Sequence, residues 1–169
     1  MDLRKYIRDV LDFKPGITFF DITPLLSDPK AFSYSIDALA ERYKDSGANK
    51  IVAAEARGFI FGAPLAYKMN IGFVPVRKPG KLPYKTTSVT YDLEYGTDSL
   101  CMHVDAVTPG DQVLIIDDLL ATGGTTGGMI QLVKQGGGAI VGIGFLIELG
   151  FLDGPNKLDG IPHECLLKL

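Results

Sequence analysis

Short apolar runs alternate with stretches of helical periodicity along most of the chain. KIVAA (50–54), GFVPV (72–76), QVLII (112–116) and AIVGIGFL (139–146) read as buried strands: brief, β-branched and bounded by glycine or polar residues. Gly58 to Met69 and Met129 to Gln135 read as helices, the second ended by Gly136 to Gly138. Asp28-Pro29 is a helix start, a capping carboxylate followed by proline in the first turn. Phe32, Ile36, Leu39, Ala40 and Tyr43 then follow at helical spacing until Gly47. At the N-terminus Leu3, Ile7, Val10 and Leu11 suggest one face of a helix over 2–12. Residues 13–27, broken by Pro15-Gly16 and Thr23-Pro24, read as irregular. IPHECLLKL (161–169) reads as a last short strand, and no function is assigned to 150–169.

Strands alternating with helices predict an α/β fold, a mostly parallel sheet covered by helices on both faces. Ligands in such sheets sit beyond the carboxyl ends of the strands. Segments 54–58, 76–83 and 117–126 fall there and carry most of the reactive side chains. The stretch 79–100, containing KLPYKTTSVTYDLEYGTDSL, is polar, β-branched and rich in tyrosine, and reads as a ribbon or flap.

Composition narrows the choice. With 169 residues and 46% hydrophobic content, the chain suits one globular domain over 1–169. A formal charge of -3 argues against a large nucleic-acid footprint. Cys101 and Cys165 are far apart and form no metal-binding or disulfide framework. The charged start MDLRKYIRDVLDF does not look like a signal peptide, and no apolar run is long enough to span a bilayer. A cytoplasmic protein without membrane partners is expected. His103 and His163 stand alone and are assigned to structure.

The chemistry concentrates in IIDDLLATGGTT (115–126). Glycines followed by a helix let backbone N–H groups converge on an anion, and the hydroxyls of Thr122 and Thr125 add donors. Neither the P-loop nor the dinucleotide fingerprint is present. Asp117 and Asp118 beside a buried strand end repel each other and resist desolvation. They make sense facing neutral donors such as paired ribose hydroxyls, with a 5′-phosphate on Ala121, Thr122, Gly123, Gly124 and Thr125. No His, Cys or third carboxylate nearby suggests a protein-held metal.

VLIIDDLLATGGT (113–125) resembles the phosphoribosyl pyrophosphate (PRPP) signature of the type I phosphoribosyltransferase family. GITFFDITPLL (16–26), EARGF (55–59), RKPGKLP (77–83) and YDLEYG (91–96) resemble the branch of that family acting on adenine. The resemblance spans about residues 13–147. It implies the type I fold with a small N-terminal hood, a purine-binding segment over 1–28 and a flexible catalytic flap over 79–100. It implies transfer of a phosphoribosyl group from PRPP to adenine, giving AMP and pyrophosphate in purine salvage. By resemblance, Thr18, Phe19 and Phe20 meet the purine, and Glu55, Ala56, Arg57, Arg77, Lys78 and Lys81 meet pyrophosphate. A non-proline cis peptide is implied at Glu55–Ala56. Glu94 is the implied acid/base, Arg57 its catalytic companion, and Tyr84, Tyr91 and Tyr95 help the flap exclude water. Mg²⁺ arriving on PRPP and a homodimer are also implied. Two alternatives stay open: another purine base (xanthine, hypoxanthine or guanine), or a non-enzymatic PRPP sensor on the same fold.

Overall fold

The computed structural model describes residues 1–92 and 96–169. Its centre is a five-stranded sheet of β3 (Lys50–Ala54), β4 (Gly72–Val76), β7 (Gln112–Leu120), β8 (Ala139–Glu148) and β9 (His163–Lys168). The strand order is β4-β3-β7-β8-β9, and every pairing is parallel. Alternate residues of β7 serve opposite faces. Val113 and Ile115 pack under α4 (Gly124–Gly136), whereas Leu114 and Ile116 pack under α2 (Pro29–Tyr43) and α3 (Arg57–Met69). Side chains this fully buried contribute roughly 1.5–3 kcal/mol each. Both faces being covered explains why these strands read as continuous apolar runs.

Two antiparallel hairpins lie outside this sheet. β1 (Arg8–Lys14) pairs with β2 (Ile17–Asp21), and β5 (Thr86–Asp92) pairs with β6 (Thr97–His103). The second hairpin is tied to the sheet where Arg77 and Cys101 exchange backbone hydrogen bonds of 3.0 and 2.7 Å.

Five expectations are corrected. The helix over 2–12 is a 3-10 turn at Leu3–Tyr6 followed by β1. Only Leu3 and Ile7 of the supposed apolar face are buried, and Leu11 is 73% exposed. A partner strand begins just past the Pro15-Gly16 turn, so the segment pairs as a hairpin. The irregular 13–27 contains β2 and the short helix α1 (Thr23–Ser27); Pro24 sits in the first turn, where proline is tolerated. The strand over 112–116 runs on to Leu120, so the acidic pair lies within β7. The helix of 129–135 starts at Gly124, because the small-residue loop supplies its first turn. The strand over 139–146 extends to Glu148. Asp28 caps α2 as expected, accepting from the amides of Lys30 and Ala31 at 2.9 and 2.8 Å.

Asp111 fastens the loop entering β7. It accepts from Lys50 Nζ at 2.8 Å, the Thr108 amide at 2.8 Å and Asn49 Nδ2 at 3.2 Å. The Lys50 bond, then the Thr108 amide, holds its pKa down at about 2. A depressed carboxylate stabilises the fold above its unfolded value of 3.8 and loses that contribution as pH falls toward 2. Urea unfolding from pH 5 to 2 should show a loss of about 2 kcal/mol assignable to this group. Asp111→Asn should remove that part of the slope; an unchanged slope would contradict the assignment.

Candidate active site

Because β3, β4 and β7 are parallel, their carboxyl ends open on one edge. There residues 55–57, 117–119 and 121–126 surround a cavity of about 300 Å³. β3 ends at Ala54, the Glu55–Ala56 peptide is cis, and α3 starts at Arg57. The first turn of α3 lies hard against β7. A Cβ at Gly58 would stand 2.9 Å from Asp117 Oδ1, so only glycine allows this approach.

Asp117 and Asp118 are both buried. Asp117 Oδ1 accepts from the Asp118 amide at 2.9 Å, and Asp118 Oδ2 pairs with Arg57 Nε at 2.9 Å. Burial pushes the Asp117 carboxyl well above its ordinary pKa, and the charge of Asp118 pushes it further. Burial also raises Asp118, opposed by the Arg57 guanidinium. The two carboxyls therefore differ: Asp118 has a cation to hold its charge, and Asp117 is the readier to keep a proton. Such a floor can accept from, and donate to, vicinal hydroxyls.

The loop that follows turns at Gly123, whose φ of +79° is left-handed, and enters α4 at Gly124. Gly127 N donates to Gly123 O at 2.8 Å. The amides of the first turn have no partner within the helix and, with the helix dipole, favour an anion. The loop rests on the 3-10 turn Gly154–Lys157: a Cβ at Gly123 would meet Gly154 O at 2.6 Å. This support lies in the region left without a role by sequence. Its only signal there is the Gly154-Pro155 punctuation.

Around the cavity the expected residues divide. Phe19 lies under the Arg57 guanidinium, 5.5 Å from its carbon, with the Phe13 ring 4.9 Å away. Phe20, on the alternate face of β2, packs against the core, and Thr18 is exposed. Arg77, Lys78 and Lys81 do not line the cavity. Arg77 Nε and the Lys78 amide both bond Glu55 Oε1, at 3.2 and 2.7 Å, and hold that carboxyl below its usual pKa. The Lys78 ammonium pairs with Asp98, a residue sequence reasoning missed. It stands directly across from Tyr91 in the hairpin. The Tyr91 ring lies on the first turns of α4, while Tyr84, 55% exposed, meets His103 edge-on at 5.9 Å. Glu94 and Tyr95 lie outside the described residues. His163 bonds Glu148 at 3.1 Å, and neither lines the cavity.

Comparison with known proteins adds to this geometry. The model of the phosphoribosyl transferase domain matches residues 23–159. An adenine phosphoribosyltransferase of Maridesulfovibrio salexigens is 65% identical over 170 residues, covering 100% of both chains. A crystal structure of adenine phosphoribosyltransferase from Thermoanaerobacter pseudethanolicus superposes with a TM-score of 0.96 at 55% identity, covering 99% of this chain and 98% of that one. The Saccharomyces cerevisiae adenine phosphoribosyltransferase, complexed with an imino-altritol bisphosphate and adenine, gives 0.92 at 38% identity, with coverage of 98% and 96%.

Proposed function

This chain belongs to the phosphoribosyl transferase family, and from that premise we propose that it transfers the 5-phosphoribosyl group of PRPP to adenine, yielding AMP and pyrophosphate. The observation that carries the reading is one cavity with a two-carboxyl floor and a helix-opening loop beside it. That pairing suits a ligand with vicinal hydroxyls at one place and a phosphate at the next. Full-length relatives that use adenine support the base.

In this reading the ribose hydroxyls bond to Asp117 and Asp118, and the 5′-phosphate takes the amides and hydroxyls of residues 121–125. Charge-assisted bonds of this kind contribute about 1.5–3 kcal/mol each. The purine lies against Phe19, with the backbone of Thr18 and Phe20 reading its edge. The C1–O bond breaks and its electron pair leaves on pyrophosphate. A ring nitrogen of adenine bonds to C1 and gives up its proton, which Glu94 accepts. Arg57 meets the pyrophosphate in the cavity, and the basic loop of Arg77, Lys78 and Lys81 reaches it from outside the cavity lining.

The reading includes Mg²⁺. Among the described residues no three His, Cys, Asp or Glu side chains form a metal cluster, and Asp118 and Glu55 are already paired with cations. This donor set suits an ion carried by the pyrophosphate; Asp117 and Asp118 would hold the ribose of the PRPP that brings it. When bound, Mg²⁺ offsets the leaving group's charge. The proposal extends to a homodimer acting in the cytoplasm; among the described residues no helix is long and apolar enough to cross a membrane.

Phosphorus NMR of the protein with PRPP, Mg²⁺ and adenine should show AMP and pyrophosphate appearing one to one. PRPP binding without any nucleotide would instead favour the sensor. Asp118→Asn loses the charge that accepts from ribose and leaves Arg57 without its partner. Calorimetry should find PRPP binding weakened roughly tenfold to a hundredfold, the scale of one lost charged hydrogen bond. Unchanged affinity would remove Asp118 from the ribose site.

A further inference from the structure

Tyr91 does not line the cavity, yet its side chain touches both the 121–125 loop and the hairpin residue that holds Lys78. Its ring lies flat along α4 on two glycines one helical turn apart. A Cβ at Gly124 would stand 3.2 Å from Tyr91 Cδ2, and one at Gly128 would stand 3.2 Å from Cδ1. Any side chain at either position would lift the ring. The Tyr91 hydroxyl is 3.4 Å from Thr125 Oγ1 in the phosphate loop and 3.4 Å from Asp98 Oδ2. Asp98 is the cross-strand partner of Tyr91 and holds the Lys78 ammonium. The Lys78 amide in turn bonds Glu55, which lines the cavity. One continuous relay thus runs from the phosphate loop through Tyr91 and Asp98 to the basic loop and Glu55.

We propose that Tyr91 is a positioning residue that sets the spacing between the 5′-phosphate site and the pyrophosphate site. The inference rests on PRPP being the ligand. In PRPP the two anionic groups are joined through one ribose, so covalent bonds confine their separation to a narrow range. A protein gains the joint affinity of both ends only if its two anion sites stand at the matching distance. The phosphate loop leads into α4, and the basic loop follows β4. The hairpin β5–β6 connects them, and the glycine seat fixes where that hairpin rests on α4.

Calorimetry with three probes tests this: Mg-PRPP, ribose 5-phosphate and Mg-pyrophosphate. Tyr91→Ala should weaken PRPP roughly tenfold while leaving each half-ligand within about twofold, because each end is intact and only their spacing is lost. A matching loss of ribose 5-phosphate would show that Tyr91 merely shapes the phosphate loop, and unchanged PRPP affinity would remove it from binding; either overturns the proposal. Gly128→Ala provides a second route, pressing a methyl against the Tyr91 ring and against Leu100 Cδ1 at 3.3 Å. It should reproduce the selective PRPP loss, and the double variant should lose far less than the sum of the two, since the methyl then meets only Leu100 and has no ring to displace. Additive losses would contradict the shared seat. A wild-type protein that does not bind PRPP would overturn the functional reading itself, before any variant is compared.

Discussion

Glu94→Gln is expected to lose about 10²–10⁴-fold in turnover with PRPP affinity unchanged. Adenine attacks through a ring nitrogen that carries a proton in the free base. The proton must leave as the bond to C1 forms, and a carboxylate can take it where an amide cannot. Gln keeps the size and hydrogen-bonding reach of Glu, so the substitution isolates proton transfer from closure of the flap. PRPP should bind as before, because its proposed contacts lie on β7, the phosphate loop and the basic loop. Single-turnover rates with saturating PRPP would measure the chemical step directly. A near-wild-type rate would remove Glu94 from the chemistry and leave the proton to water or substrate.

Gly123→Ala is expected to raise the KM for PRPP roughly a hundredfold, the cost of misplacing a binding group by about 1 Å. The left-handed backbone at this position costs a non-glycine residue about 1–2 kcal/mol. The added methyl would also stand 2.6 Å from Gly154 O and 3.1 Å from Lys157 Cβ, so the loop must move off its support. Gly160→Ala is the control. It has φ of +70° as well, but nothing lies within 4 Å of its Cβ position. It should lower thermal stability modestly and leave KM alone. If Gly123→Ala bound PRPP normally, the loop would not be the phosphate cradle.

Much of the sheet was legible because its strands are buried on both faces, and continuous apolar runs such as KIVAA admit few other readings. The N-terminal hairpin was not. Leu3, Ile7, Val10 and Leu11 fit a helical face by spacing, yet the segment is held by pairing with residues beyond Pro15-Gly16, which periodicity does not register. The end of β7 was cut short at Ile116 because two aspartates look like the end of a strand. They remain in it because β7 goes on pairing with β8 as far as Leu120 opposite Glu148, and Arg57 offsets the charge of Asp118. The turn entering α4 was legible through its glycines and hydroxyls. Asp98 and the Gly154–Lys157 support were not, since each acts through a contact with a segment distant in sequence.

A backbone carbonyl of Thr18 or Phe20 that accepts from the 6-amino group of adenine would face the 6-oxo group of guanine or hypoxanthine acceptor to acceptor. A mismatch of that kind can discriminate by about 10⁴. The most direct measurement is kcat/KM for adenine, hypoxanthine, guanine and xanthine with saturating PRPP and Mg²⁺. AMP formation from adenine, with the three oxopurines at least about a thousandfold slower, is the predicted result. Comparable or faster reaction with any oxopurine would contradict it.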